Sequence, residues 1–176
     1  MLAAAAACGD AATPDISSIG VYPPPTVPAP TSSPVPTVTD APVTGPVVRV
    51  DQTDIPVELA VNPEERIRGL SGRASLSTGT GMLFIFEVEG RLRFWMREME
   101  FPLDMIWIGA KCQVVDISVD VPPPEPETSL NDLPRYSPSA PAMYVLEING
   151  GEAETLGLGA GDPVEFRDAL AGRYGC

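Results

Sequence analysis

The sequence predicts a mainly β module, a compact antiparallel β-sandwich or barrel with one or two short helices, preceded by a disordered proline-rich tether. Three observations carry that prediction. Between Gly81 and Ile108 two apolar runs, Met82–Val88 and Phe101–Ile108, flank an arm in which apolar and basic residues alternate, the pattern of strands at the centre of a core. Short segments of period two recur before and after that stretch, from Val57 to Phe166. Ten of the 21 prolines fall between Pro14 and Pro46, where the chain buries too little apolar area to offset its ordering entropy. At 176 residues, one domain with an appendage is expected. The divisions fall at 1–10, a signal remnant; 11–46, a linker rich in Pro, Thr and Ser; and 47–176, the folded module.

The chain starts Met-Leu-Ala-Ala-Ala-Ala-Ala-Cys8-Gly9-Asp10. Small residues directly before a cysteine, with a long polar tether behind it, resemble the end of a bacterial lipoprotein signal. The basic n-region of such a signal is missing, since the first basic residue is Arg49, and Ala5 stands where Leu is preferred. The expectation is a start upstream of Met1, lipidation at Cys8 and an extracytoplasmic, membrane-anchored module. A frayed N-terminus with a free thiol is the alternative.

In the module, Val47–Val50 and Val57–Val61 read as strands. Asn62-Pro63-Glu64-Glu65 then has helix-start chemistry: a capping side chain, proline in the first turn, and acids at the positive end of the dipole. Ile67 and Leu70 are spaced to face the core, and Gly69 and Gly72 end the helix. Gly81 opens a central hairpin that turns at Glu89-Gly90. In its return strand Leu92, Phe94 and Met96 share one face, and Arg91, Arg93, Trp95 and Arg97 the other. Three arginines and a tryptophan on one face suit an anion or a sugar. Pairing with Glu87 and Glu89 across the hairpin is the equally weighted structural alternative.

On the strand Phe101–Ile108, Asp104 shares its face with Ile106 and Ile108. A carboxylate there must be paired, as an anchor or as a working group lining a pocket. Further strands follow at Val114–Val119, Met143–Ile148 and Val164–Phe166, with a long acidic, proline-rich loop over Val121–Pro138 and a short helix near Gly151–Leu156. The three cysteines leave Cys112 and Cys176 to pair once Cys8 is lipidated, as expected of an exported protein.

Composition limits the chemistry. A net charge of −13 leaves no cationic surplus for nucleic acid. The absence of His removes the commonest metal ligand and general base. No metal and no cofactor are expected, and the glycines follow no phosphate-loop pattern.

Arg66-x-x-Gly69-Leu70, Arg73, Gly81-Met-Leu-Phe84, Phe94-Trp-Met96, Pro102-Leu-Asp104, Ser139-x-Pro141, Val145-Leu-Glu147 and Gly161-Asp162 together resemble the domain-of-unknown-function 192 family, over about Val47 to Phe166. The resemblance implies a small, mainly β domain, often exported, with no established activity. Ser71 departs from the family's usual Met, and Arg97-Glu98-Met99 from its usual basic residue, Asn and Thr. The ligand-binding set read from these stretches is Arg66, Arg73, Trp95, Arg97, Asp104 and Glu147. Asp104 forms the pocket floor, held by Arg66 or Arg73, with Trp95 and Glu147 on the walls. A surface module binding a small polar molecule or glycan is favoured, touching the membrane only through a lipid anchor. The alternatives are a hydrolase using Asp104 and Glu147 as an acid/base pair, which requires the two carboxyls to converge, and an accessory domain docked to an envelope protein.

Overall fold

The computed structural model describes residues 45–176. The expected signal remnant, Cys8 and most of the expected linker lie outside the described residues. Seven strands and two short helices follow in the order β1 (Pro46–Val50), β2 (Thr53–Ala60), α1 (Pro63–Arg68), β3 (Gly81–Gly90), β4 (Leu103–Ile108), β5 (Val114–Val121), β6 (Ala142–Asn149), α2 (Glu152–Thr155) and β7 (Val164–Asp168). All the strands join one sheet, in the order β5-β4-β6-β3-β2-β1-β7, which curls into a half-barrel.

The pairing is antiparallel except at β2 and β3, which run parallel from Val57↔Gly81 to Ala60↔Phe84. This departs from the all-antiparallel expectation, and the reason is local. Two residues after β2, Asn62 caps α1: its side chain accepts from the Glu65 amide at 2.9 Å, and the Glu65 carboxylate accepts from the Asn62 amide at 3.1 Å. That reciprocal cap closes two orphan donors. It makes β2-α1-β3 a crossover, the connection that parallel strands require.

The central hairpin is also corrected. β3 does run through the expected strand, but it pairs with β6, and the segment after Gly90 leaves the sheet. Its one ladder contact is the bridge Phe94↔Tyr136. Leu92, Phe94 and Met96 still alternate against exposed Arg91 and Arg93. Their apolar side is satisfied by lying over the outer face of the sheet, so no neighbouring strand is needed.

Two apolar clusters divide the side chains. The inner face of the curl gathers residues from every strand, among them Val48, Ile55, Leu83, Ile106, Val114, Tyr144 and Phe166. The outer face carries Met82, Phe84, Leu103, Met105, Trp107 and Val145, covered by Leu70, Met96 and Met99. Leu70 is buried as its spacing predicts, whereas Ile67 is 57% exposed.

The two sheet edges meet at one corner. The Val114 amide donates to the Asp162 carbonyl at 2.9 Å, and the Val164 amide to the Cys112 carbonyl at 2.8 Å, so the start of β7 is stitched to the start of β5. A disulfide joins Cys112 and Cys176 there, with Cα atoms 5.4 Å apart. The Tyr144 hydroxyl donates to the Tyr174 carbonyl, which holds the C-terminal segment against the inner core.

Candidate functional site

A cleft of about 290 Å³ opens on the outer face between α1, the 93–99 segment and the sheet. Its walls are Ile67 and Leu70 on one side and Phe94, Trp95 and Met99 on the other; Phe84, Phe86, Leu103 and Glu147 form its base. Alternation along the strands puts these groups together: Phe84 and Phe86 in β3 project to the same face as Leu103 in β4 and Glu147 in β6. The register Met105↔Glu147 and Met82↔Glu147 brings that glutamate between two apolar neighbours.

Glu147 is 4% exposed, and among the described residues no donor reaches its carboxyl. Burial without compensation pushes its pKa up from 4.5 to about 8. At neutral pH the base of the cleft therefore carries an uncharged carboxylic acid, both donor and acceptor.

The aromatic groups are tightly fixed. Phe94 packs edge-on against Phe84 at 5.0 Å and against Trp107 at 5.4 Å. The Arg135 guanidinium lies 4.3 Å from the Trp95 ring centre, a cation–π contact from the long loop. Arg66 clamps α1 to the sheet: one of its terminal nitrogens donates to the Val61 carbonyl at 2.8 Å and the Ile85 carbonyl at 2.5 Å, and its guanidinium stands 4.8 Å from the Phe86 ring. Gly69, at φ 46°, turns the chain where an added Cβ would lie 3.1 Å from the Phe84 ring. Only glycine takes that conformation without strain while leaving the cleft wall open.

The expected site set therefore divides. Arg66, Trp95 and Glu147 border the cleft. Arg73 lies outside it, in a two-pronged ion pair with Glu58 at 2.5 and 2.8 Å. Arg97 is not part of the lining either; its Nε is buried without a hydrogen-bond partner, 3.8 Å from a Glu98 carboxylate oxygen, and its carbonyl accepts from the Ser71 hydroxyl at 2.8 Å. Asp104 projects to the inner face, fully buried, and no arginine holds it. Its carboxylate accepts three backbone N–H groups, from Asp120 at 2.6 Å, Gly151 at 3.0 Å and Ala153 at 2.7 Å. Gly151 has no side chain to cap α2, and Asp104 fills that role from a different strand. Because Asp104 pairs with Ile148 and Met105 with Glu147, the two carboxyls point to opposite faces of the sheet. They cannot act on one bond.

The family model described as Uncharacterized ACR, the domain-of-unknown-function 192 family, matches residues 46–166. The chain belongs to that family. Two crystal structures are similar to this family member. One is a protein of unknown function from Novosphingobium aromaticivorans, 33% identical with a TM-score of 0.61, covering 68% of this chain and 83% of the other. The second, from Sinorhizobium meliloti and described as a candidate transcription regulator, is 31% identical with a TM-score of 0.61, covering 69% of this chain and 92% of the other. No curated protein matches the chain.

Several stretches that carry the family resemblance, those of Arg66, Leu70, Phe84, Trp95 and Glu147, border the cleft of this domain-of-unknown-function 192 member. The sequence reading missed Arg68 and the part played by Phe84 and Phe94; it placed Arg93 on a face suited to an anion but left it out of the site set, and both arginines are exposed and line the cleft. Strand parity marked Phe84 and Glu147 separately; no local signal said that β3 and β6 are neighbours. Among the described residues no group of three or more His, Cys, Asp or Glu could hold a metal ion, and no helix is long and apolar enough to cross a membrane.

Proposed function

We propose that this domain is a binding module whose outer-face cleft takes a small polar molecule. The observation that carries the reading is Glu147, a carboxyl 4% exposed and without a protein partner at the base of an aromatic-walled cleft. Its oxygens open into the cleft with no protein partner, and a ligand that hydrogen-bonds to them fills a position that the fold leaves to solvent. The volume of about 290 Å³ suits a single ring better than an extended glycan chain. Among the described residues no second acid lines the cleft with Glu147, and the reading favours binding over acid/base hydrolysis. The description of the Sinorhizobium relative is not carried over, since a net charge of −13 opposes binding to phosphate backbones.

The reading is tested by thermal shift of the full chain against a panel of metabolites and monosaccharides. Binding to the cleft predicts at least one stabilising compound, whose effect disappears in Ile67→Trp; Ile67 sits at the mouth and is already exposed, so the larger ring blocks the cleft without disturbing the core. No stabilising compound, or equal shifts in both proteins, removes the proposal.

The same proposal places the module outside the cytoplasm, tethered through Cys8. The Cys112–Cys176 disulfide supports an oxidising location. Expression from an upstream start should send the wild type to the membrane fraction and release the Cys8→Ala variant. Cytoplasmic, soluble protein in both cases would exclude the anchor.

A further inference from the structure

Resting on the binding reading above, we infer that the ligand is a small bipolar organic anion, an apolar ring with a hydroxyl or carbonyl at one end and a carboxylate at the other, inserted polar tip first. Three levels of the cleft impose this order. At the base, Glu147 offers one donor and one acceptor to a neutral polar group, and no protein group of the described residues competes for them. Above it, Phe94 and Trp95 on the wall and Phe84 at the base give an aromatic passage in which a ring is packed edge-on or stacked. At the mouth stand Arg68 and Arg93, both exposed. Neither forms an ion pair among the described residues; Arg91, Arg135, Arg173 and Lys111 share that property, but only Arg68 and Arg93 of these line the cleft.

Two unpaired guanidinium groups at one opening, in a chain of net charge −13, make a local positive collar that draws in anions and repels amines. A carboxylate offers the two oxygens that a guanidinium fork grips in parallel, on a group small enough for a cleft of this volume. The charged groups facing the cleft are Arg66 and Arg68 from α1, Arg93 from the overlying segment and Glu147 itself; β3 and β4 contribute only Phe84, Phe86 and Leu103. A ligand amine seated against Glu147 would have to pass three arginines. A purely apolar acid would leave Glu147 unsatisfied.

Three para-substituted probes of similar size separate these cases by isothermal titration at pH 7 with the full chain: 4-(hydroxymethyl)benzoate, 4-ethylbenzoate and 4-(hydroxymethyl)benzylamine. The first is expected to bind at least about tenfold more tightly than either of the others, the advantage over 4-ethylbenzoate reporting the hydrogen bond to Glu147. In Glu147→Met that advantage should vanish while 4-ethylbenzoate binds at least as tightly as to the wild type, the polar group it left unsatisfied being gone, which also shows that the variant is folded. In Arg68→Ala/Arg93→Ala both anions should weaken about tenfold. Tightest binding by the amine, or equal binding of the two benzoates to the wild type, overturns the bipolar-anion assignment and leaves the cleft as a site for another class. Rejection of all three probes also overturns it; if no monosaccharide or metabolite binds in addition, the binding reading itself falls.

Discussion

Glu147→Gln isolates the energetic consequence of a neutral acid in the cleft. In the fold the group releases its proton at about 8, against 4.5 in an exposed chain. Below pH 4.5 both states hold the proton and its contribution to stability is fully present. Between pH 4.5 and 8 the native state keeps the proton that the unfolded chain has lost, so stability falls by about 1.4 kcal/mol per pH unit. Above pH 8 both states are ionised and the loss levels off, at a total on the order of 5 kcal/mol. Asp54, Glu58, Glu65 and Asp116 work in the opposite direction: hydrogen bonds or ion pairs hold them below the usual carboxylate range, and their contribution is lost as pH falls through the acid range. The difference between wild type and variant cancels them. Glutamine has the shape of the protonated acid and no proton to lose, so the two proteins should be of similar stability at pH 5. By pH 9 the variant should be the more stable by about 4 kcal/mol. Urea unfolding at pH 5, 6, 7, 8 and 9 reads this directly. A difference that stays flat over that range means that Glu147 is already ionised in the native cleft, and the account of the site would fail.

Three other substitutions probe the frame around it. Asp104→Asn replaces an acceptor of three backbone N–H groups by an amide with one acceptor oxygen, and should cost about 3 kcal/mol in urea unfolding; unchanged stability would mean that the charge is not what caps α2. Its probe binding should survive, because Asp104 lies on the inner face. Replacing Cys112 and Cys176 by Ser opens a loop of sequence separation 64 and should cost about 4 kcal/mol, visible as a lower Tm that no longer responds to reductant. Gly81→Ala places a Cβ 2.7 Å from the Glu147 carbonyl oxygen and 2.9 Å from Leu146 Cδ1. With backbone on one side it cannot relax cheaply, and a loss of about 2–3 kcal/mol is expected; a neutral result would show that the β3–β6 pair is looser than its register implies.

Local chemistry in this chain was legible, and pairing was not. The Asn62 cap, the apolar positions of β3, β4 and β6 and the burial of Leu70 all follow from patterns confined to a few residues. The return arm over Leu92–Met96 looked like a strand because its burial alternates, yet period two records only which side chains are covered and says nothing of backbone partners. Asp104 was recognised as a carboxylate needing partners, and arginine was the natural candidate from composition. The partners are main-chain N–H groups of Asp120, Gly151 and Ala153, which any sequence would supply and which only the fold brings to one point. The same limit explains the division of the site set. Arg66 and Glu147 border one cleft because β2, β3 and β6 lie side by side, and Arg73 turns away to pair with Glu58 on β2.

The stitched corner has a consequence for how the protein is made. β1, the first strand of the module, has its outer neighbour in β7, the last, through pairs such as Val48↔Phe166, roughly 120 residues apart in the chain, and high sequence separation slows folding. While the ribosome is still adding residues, β1 exposes an unpaired edge and the inner core lacks Phe166, Leu170 and the strap through Cys176. The module cannot close until its final strand has been synthesised. A chain that stays open for that long remains a competent substrate for threading through a membrane pore, and it also needs protection from aggregation during the wait.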